Sequence, residues 1–129
     1  MQSGDVFKQT FLITDDIYQG FILLFNDRNI LHTDEAYAQQ KGFKRKVMHG
    51  NILMGFLSYF VGECLPVKNV IIHAQEIRFV KPVYQNDSLR LEAEISNVFE
   101  SVNTLEFKFF FQNQENVKVA KGTFQVGLI

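Results

Sequence analysis

An α+β fold, with one curled antiparallel sheet wrapped around a single buried helix, is what this sequence predicts, and three observations carry the prediction. The stretch from Gly50 to Leu65 is apolar enough that Glu63 is its one charged residue. Helical patterns come before Pro66 and period-two alternation comes after it, the segregation expected of the α+β class. No repeat, low-complexity tract or linker interrupts the 129 residues, so a single domain covering 1–129 has to bury that helix with its own sheet.

The elements follow in order. Phe7 to Ile13 reads as a short first strand. Thr14 offers an N-cap, Asp15 and Asp16 put negative charge in the first turn where the helix dipole favours it, and Ile17, Phe21 and Leu24 form one apolar stripe. The pattern fails over Asn26 to His32, a polar loop or broken helix. A second short helix is capped by Thr33, opened by Asp34 and Glu35, and closed by Lys41-Gly42. The main helix, Gly50 to Leu65, carries Ile52, Leu53, Phe56, Leu57, Phe60 and Val61. It should be buried nearly all round, with Gly55 and Gly62 letting a sheet approach and Pro66 ending it.

The second half is strands. Val70 to Val80 is one long strand, stopped by Lys81-Pro82. Leu89, Leu91, Ala93 and Ile95 alternate with Arg90, Glu92, Glu94 and Ser96, giving a buried and a wet face. Leu105, Phe107, Phe109 and Phe111 repeat the alternation after a turn at Glu100 to Asn103. A hairpin loop at Asn113 to Asn116 leads into a last strand, Val117 to Val126, with Ala120, Phe124 and Val126 on one side. Together they predict an antiparallel meander of about four strands. A sheet of that kind curled around a central apolar helix is a hot-dog fold.

Composition narrows the function classes. Basic and acidic residues number 13 and 14, a formal net charge of -1 without a basic stripe, which argues against a nucleic-acid partner. The one dense basic run, Lys41, Lys44, Arg45 and Lys46, reads either as a solvated loop or as an attractor for the phosphates of a nucleotide-bearing substrate. Cys64 is the single cysteine, reads as a small core residue, and suits a reducing compartment. Met1 to Val6 lacks the blocks of a signal peptide, and no apolar run approaches the roughly 20 residues that span a bilayer. A cytoplasmic protein with no membrane partner is expected. The 14 phenylalanines predict a phenyl-rich core or ligand tunnel. Phe107, Phe109 and Phe111 share the core face, whereas Phe110 points the other way.

Two short segments carry chemistry. Asp27 and His32 would lie about 140° apart on an unbroken helix, and the polar Arg28-Asn29 step supplies the break that lets them converge. A carboxylate beside an imidazole can hold and activate one water near neutral pH. The second segment, Val47-Met48-His49-Gly50-Asn51-Ile52, stands directly before the main helix. A glycine there admits a ligand close to free backbone N–H groups, which with the helix dipole can bind the oxygen of a polarised thioester carbonyl. His32, His49 and His73 show no recognised metal-ligand spacing.

In this order the two segments resemble the MaoC-like hydratases and dehydratases, whose pattern runs Ser/Thr-Gly-Asp-x-Asn-Pro-Leu/Ile-His-x-Asp, then Gly-Phe, then Ile/Val-Ala/Met-His-Gly. Asp27, Asn29, Leu31, His32, Asp34, Ala38, Gly42-Phe43 and Val47-Met48-His49-Gly50 stand in matching places. Arg78-Phe79-Val80-Lys81-Pro82-Val83-Tyr84 and Asn86-Asp87-Ser88-Leu89 look like two further segments of that family. The resemblance covers nearly the whole chain. It implies interconversion of trans-2-enoyl and (R)-3-hydroxyacyl thioesters of coenzyme A or acyl carrier protein, without metal or cofactor. Asp27 and His32 would hold the water and the Gly50 amide the enolate oxygen. Asn29, His49 and Asn51 complete the set as substrate-binding candidates, Asn29 chiefly by ordering its loop and His49 also by shaping its turn. A homodimer or higher homo-oligomer is implied too. Phe25, Asn26 and Ile30 depart from the family's Ser/Thr, Gly and Pro, which puts rate and substrate range in question.

Two rival readings have distinct signatures. A thioesterase of the same fold needs a carboxylate on or near the central helix, and Glu63 lies late on it, away from Gly50. A non-catalytic acyl-thioester scaffold would fill the space between Asp27 and His32 with Phe25 or Ile30.

Overall fold

The computed structural model describes residues 1–129. β1 (Val6–Leu12) leads through buried Ile13 into α1 (Asp15–Phe25), where the Thr14 hydroxyl accepts the Ile17 amide as its cap. Two short helices, α2 (Ile30–Thr33) and α3 (Glu35–Gln40), precede α4 (Ile52–Tyr59), whose end widens into a π-helical turn, Phe60–Cys64. β2 (Val70–Phe79), β3 (Ser88–Phe99), β4 (Thr104–Gln112) and β5 (Lys118–Leu128) complete the chain.

All five strands form one antiparallel sheet in the order β1-β3-β4-β5-β2, curled around α4 as a hot-dog fold. β3, β4 and β5 are the expected meander. β2 is not part of it, because it pairs with β5 at one edge while β1 closes the other. The connection from Val80 to Asp87 is the reason. It leaves β5 through the Val80 and Lys81 amides on the Val119 carbonyl, and passes the start of α4 where the Met48 amide meets the Val83 carbonyl. It then reaches β1 through the Asn86 amide on Ile13.

The alternating apolar positions of β3, β4 and β5 turn inward and share one core with Leu53, Leu57 and Phe60. Phe107 stacks on Phe124 at 4.6 Å. Each fully buried side chain of this size contributes about 1.5–3 kcal/mol.

Four expectations need correction. α4 is not buried all round: Gly55, Ser58, Tyr59, Gly62 and Glu63 are exposed, and a Cβ at Gly55 or Gly62 would meet nothing within 4 Å. The close approach is elsewhere, at Gly122 and Gly127 of β5, which sit beneath the Glu76 carbonyl and the His73 ring of β2. In α1 the buried pair is Tyr18 and Ile22, while Leu24 faces outward because that side looks along α4 rather than into the sheet. The cap of α3 is Asp34, whose carboxylate accepts the Tyr37 amide; the Thr33 hydroxyl is occupied with the Arg28 and Asn29 carbonyls. No helix is long and apolar enough to cross a membrane.

Candidate active site

α1 ends because Asn26 adopts a left-handed backbone (φ 57°), with its amide on the Ile22 carbonyl at 2.8 Å. Asparagine tolerates that region better than other residues with a Cβ, so this departure preserves the turn that aims Asp27 off the helix. The Asp27 carboxylate accepts the Asn29 amide at 3.2 Å, and the Asn29 side chain accepts the Leu31 amide at 3.0 Å as the N-cap of α2. Ile30 then occupies the first helical position. Proline is pre-organised there but not required, and the Asn29 cap supplies the order that proline would. The stretch read as a loop or broken helix is thus a loop over Asn26 to Asn29 followed by a new helical turn, and that turn carries His32 back beside Asp27.

Backbone carbonyls set the tautomers of both histidines. His32 Nδ1–H donates to the Val47 carbonyl at 2.7 Å, which leaves Nε2 free. His49 Nε2–H donates to the Asp27 carbonyl at 2.8 Å, and its Nδ1 is buried without a partner. Protonating that nitrogen would bury an unpaired donor, so His49 is held neutral. Burial lowers its pKa from 6.5, reinforced by the neighbouring His32 and opposed by the Asp27 carbonyl bond and the Asp27 charge. The Tyr18 hydroxyl donates to the His32 carbonyl, and the Val47 amide donates to Leu31, closing the frame.

A carboxylate oxygen of Asp27 and a ring nitrogen of each histidine lie within 4.8 Å of one another. A water making bonds of about 2.8 Å bridges atoms up to about 5.6 Å apart, so the spacing suits one shared water. The His32 and His49 rings lie 4.0 Å apart with 33° between their planes. With Nε2 of His49 spent on the Asp27 carbonyl, Asp27 and His32 are the pair left to share that water.

Asp27, His32, His49, Gly50 and Asn51 line a cavity of about 340 Å³ that Phe79, Lys81 and Val83 close from the sheet side. The amides of Gly50 and Asn51 donate to nothing within the chain and stand at the start of α4. Space at Gly50 is tight: a Cβ there would lie 3.0 Å from the Phe79 ring, which would have to shift to admit it. Sharing Phe21, Asp27 and Asn51 with this cavity is a larger apolar groove of about 810 Å³ between α1 and α4.

The structure therefore gathers Asp27, His32, His49, Gly50 and Asn51 and leaves Asn29 outside the cavity wall as a cap. His49 is 2% exposed, and its one polar bond goes to Asp27, which makes it a strut between the two catalytic candidates. Tyr18 and Phe79 were not singled out in the sequence. Tyr18 was legible only as an unremarked helix residue, whereas Phe79 lay in the Arg78 to Tyr84 segment that matches the family.

His49→Phe keeps an aromatic ring and removes the donor to Asp27. A lost hydrogen bond of about 1.4 kcal/mol is expected to lower kcat roughly tenfold on the activity proposed below. The same variant tests the linkage. With its folded pKa below 6.5, His49 lets the unfolded chain bind the extra proton, so stability falls as pH drops below 6.5. Urea melts on either side of that pH should show a shallower fall for His49→Phe.

The chain is similar to known proteins in sequence and in fold. Residues 5–108 match the family model described as a MaoC like domain. An (R)-specific enoyl-CoA hydratase of Aeromonas caviae is 34% identical over 94 residues, 71% of this chain and 70% of that protein. A mitochondrial 3-hydroxyacyl-[acyl-carrier-protein] dehydratase of Arabidopsis thaliana is 23% identical over 125 residues, 95% of this chain and 74% of that one. The solved structure of the (R)-hydratase from A. caviae involved in PHA biosynthesis superposes with a TM-score of 0.91 at 26% identity, covering 100% of this chain and 98% of that one. With a match that spans most of its length, this chain belongs to the MaoC-like domain family.

Proposed function

We propose that the protein is a hydro-lyase that interconverts trans-2-enoyl and (R)-3-hydroxyacyl thioesters. The observation that carries this reading is one cavity lined both by Asp27 and His32 and by Gly50 and Asn51, whose amides at the start of α4 are unbonded. A water between the Asp27 carboxylate and His32 Nε2 attacks C3. Its proton passes to the pair, and the pair returns one to C2, so the thioester gains the elements of water. As C2 becomes carbanionic, charge moves to the thioester oxygen, where the Gly50 amide stabilises it. The two catalytic groups act as a coupled unit and share these proton transfers. Neither metal nor cofactor has a step in this scheme.

The rival readings lose support. Phe25 packs on Phe21 at 4.9 Å and lines the groove rather than the cavity, and Ile30 is exposed, so neither fills the space the scaffold reading requires. Glu63, the acid a thioesterase would need, is exposed beyond α4 with Lys68 at 3.7 Å.

The groove between α1 and α4 is read as the acyl site, since it opens at Asp27 and is lined mainly by apolar side chains. Gly55→Leu should fill it without disturbing the core, because Gly55 faces open space. Four buried methylenes distinguish octenoyl from crotonyl at about 0.8 kcal/mol each. The octenoyl-to-crotonyl ratio of kcat/KM is therefore expected to fall by about tenfold or more, measured with the two CoA esters.

A homodimer belongs to the same reading, supported by the unpaired edge of β2 with exposed Ile71, Phe79 and Val80. Light scattering should give about twice the 15.0 kDa chain mass. Cys64, a single cysteine, is consistent with a cytoplasmic setting. The deciding experiment is loss of the enoyl-thioester ultraviolet band when purified protein meets crotonyl-CoA. A folded protein that leaves the band unchanged with short and medium enoyl-CoAs, and with their carrier-protein esters, refutes the assignment.

A further inference from the structure

The loop between α3 and α4 concentrates charge that the chemistry above does not use. Lys41, Lys44, Arg45 and Lys46 fall together with no acidic residue among them. The molecule's ion pairs, Lys68 with Glu63 and Arg90 with Glu92, involve none of the four. Three of them lie instead over tyrosine rings: Lys41 at 5.5 Å from the Tyr37 centroid, Arg45 at 4.9 Å from Tyr84 and Lys46 at 5.0 Å from Tyr18. A ring face holds a cation in place without taking up all its N–H donors, and in Arg45 it leaves the in-plane guanidinium donors free.

Arg45 and Lys46 wall a cavity of about 340 Å³ together with Gln85 and Asn86. Glu35 is in the same wall, yet it forms an ion pair with neither cation. Met48 lines this cavity and the catalytic one, and Val47, which follows Lys46, supplies the carbonyl that orients His32. A chain of net charge -1 that crowds unneutralised cations at this rim incurs a local repulsion that an incoming anion relieves. The donors are those that phosphate oxygens take: a guanidinium fork, an ammonium and side-chain amides.

We propose that Arg45 and Lys46, with Gln85 and Asn86, bind phosphate at the far end of the substrate's pantetheine arm. This rests on the thioester reading above. The shared chemistry is a phosphate ester, carried either by the nucleotide of coenzyme A or by the single phosphodiester of a carrier-bound arm. Binding there would leave the thioester to reach the Gly50 amide while the acyl chain enters the groove.

The test compares crotonyl-CoA, crotonyl-phosphopantetheine and crotonyl-pantetheine on wild type and on Arg45→Gln/Lys46→Gln, with circular dichroism to show that the variant is folded. The KM for crotonyl-CoA is expected to rise about tenfold in the variant, equivalent to about 1.4 kcal/mol, and the phosphate-free ester should keep its KM. An equal rise with crotonyl-phosphopantetheine assigns the contact to the phosphate esterified to pantetheine, which the carrier-bound arm shares; a rise confined to crotonyl-CoA assigns it to the nucleotide. Equal changes for all three esters, or none, overturn the proposal. Calorimetry with adenosine 3′,5′-bisphosphate and with phosphopantetheine decides the matter even if wild type turns over no ester. Binding of either by wild type and its loss in the variant sustain phosphate recognition apart from catalysis. Absence of both bindings in wild type removes it.

Discussion

Asp27→Asn should lower kcat on crotonyl-CoA by about 10²–10⁴-fold, the range for losing a positioned proton-transfer group, while the melting temperature stays close to wild type. The amide is nearly isosteric, and its oxygen can still accept the Asn29 amide that Asp27 holds at 3.2 Å, so the turn survives. What is lost is the carboxylate's capacity to take a proton from water. His32→Gln should cost about as much, since Val47 can still receive a side-chain donor but no titratable nitrogen remains. Combining the two should add little to either single loss, because groups that act on one water fail together. Steady-state kinetics on the three variants provide the check. Single variants that each retain more than a tenth of wild-type kcat, or losses that multiply in the double variant, would mean that the pair does not share a water.

The second large effect is on stability. A Cβ on Gly122 would lie 1.9 Å from the carbonyl oxygen of Glu76, a backbone atom in the neighbouring strand that no rotamer change can move. Gly122→Ala therefore forces β5 and β2 apart in the middle of their ladder, where Gly122 faces Ile77. A cost of about 3 kcal/mol or more is expected, lowering Tm by about 10 °C or more. Gly62→Ala, facing open space, is the matched control. Because β2 ends at Phe79, which backs the Gly50 turn, the Gly122 variant should also lose activity well below its melting point. A thermal melt of Gly122→Ala that coincides with wild type would show that the strands yield more easily than the geometry implies.

Periodicity and punctuation made much of this legible. Period-two alternation named the inward residues of β3 and β4, Thr14 announced the start of α1, and Gly42, at φ 93°, closed α3 as expected. What stayed hidden depends on partners far apart in the chain. The pairing of β2 with β5 is set by the route from Val80 to Asp87, and local pattern carries no record of it. The open face of α4 was missed because small residues such as Gly55 read the same whether they admit a sheet or line a groove. At the candidate site, Asp27 and His32 were singled out by spacing and resemblance, but the Val47 carbonyl that orients His32 is a main-chain atom with no signature in residue type.

That last feature bears on how such a site can change over time. The two imidazoles are oriented by the peptide oxygens of Val47 and Asp27, atoms every residue possesses. Side chains around them can drift without rewriting the tautomers, provided the chain path is kept. Phe25, Asn26 and Ile30 are three such replacements within a few residues of Asp27 and His32, and the path through them is intact. A site whose orientation is inherited from the main chain leaves its neighbouring side chains free to explore new acyl groups while the hydration chemistry stays in place.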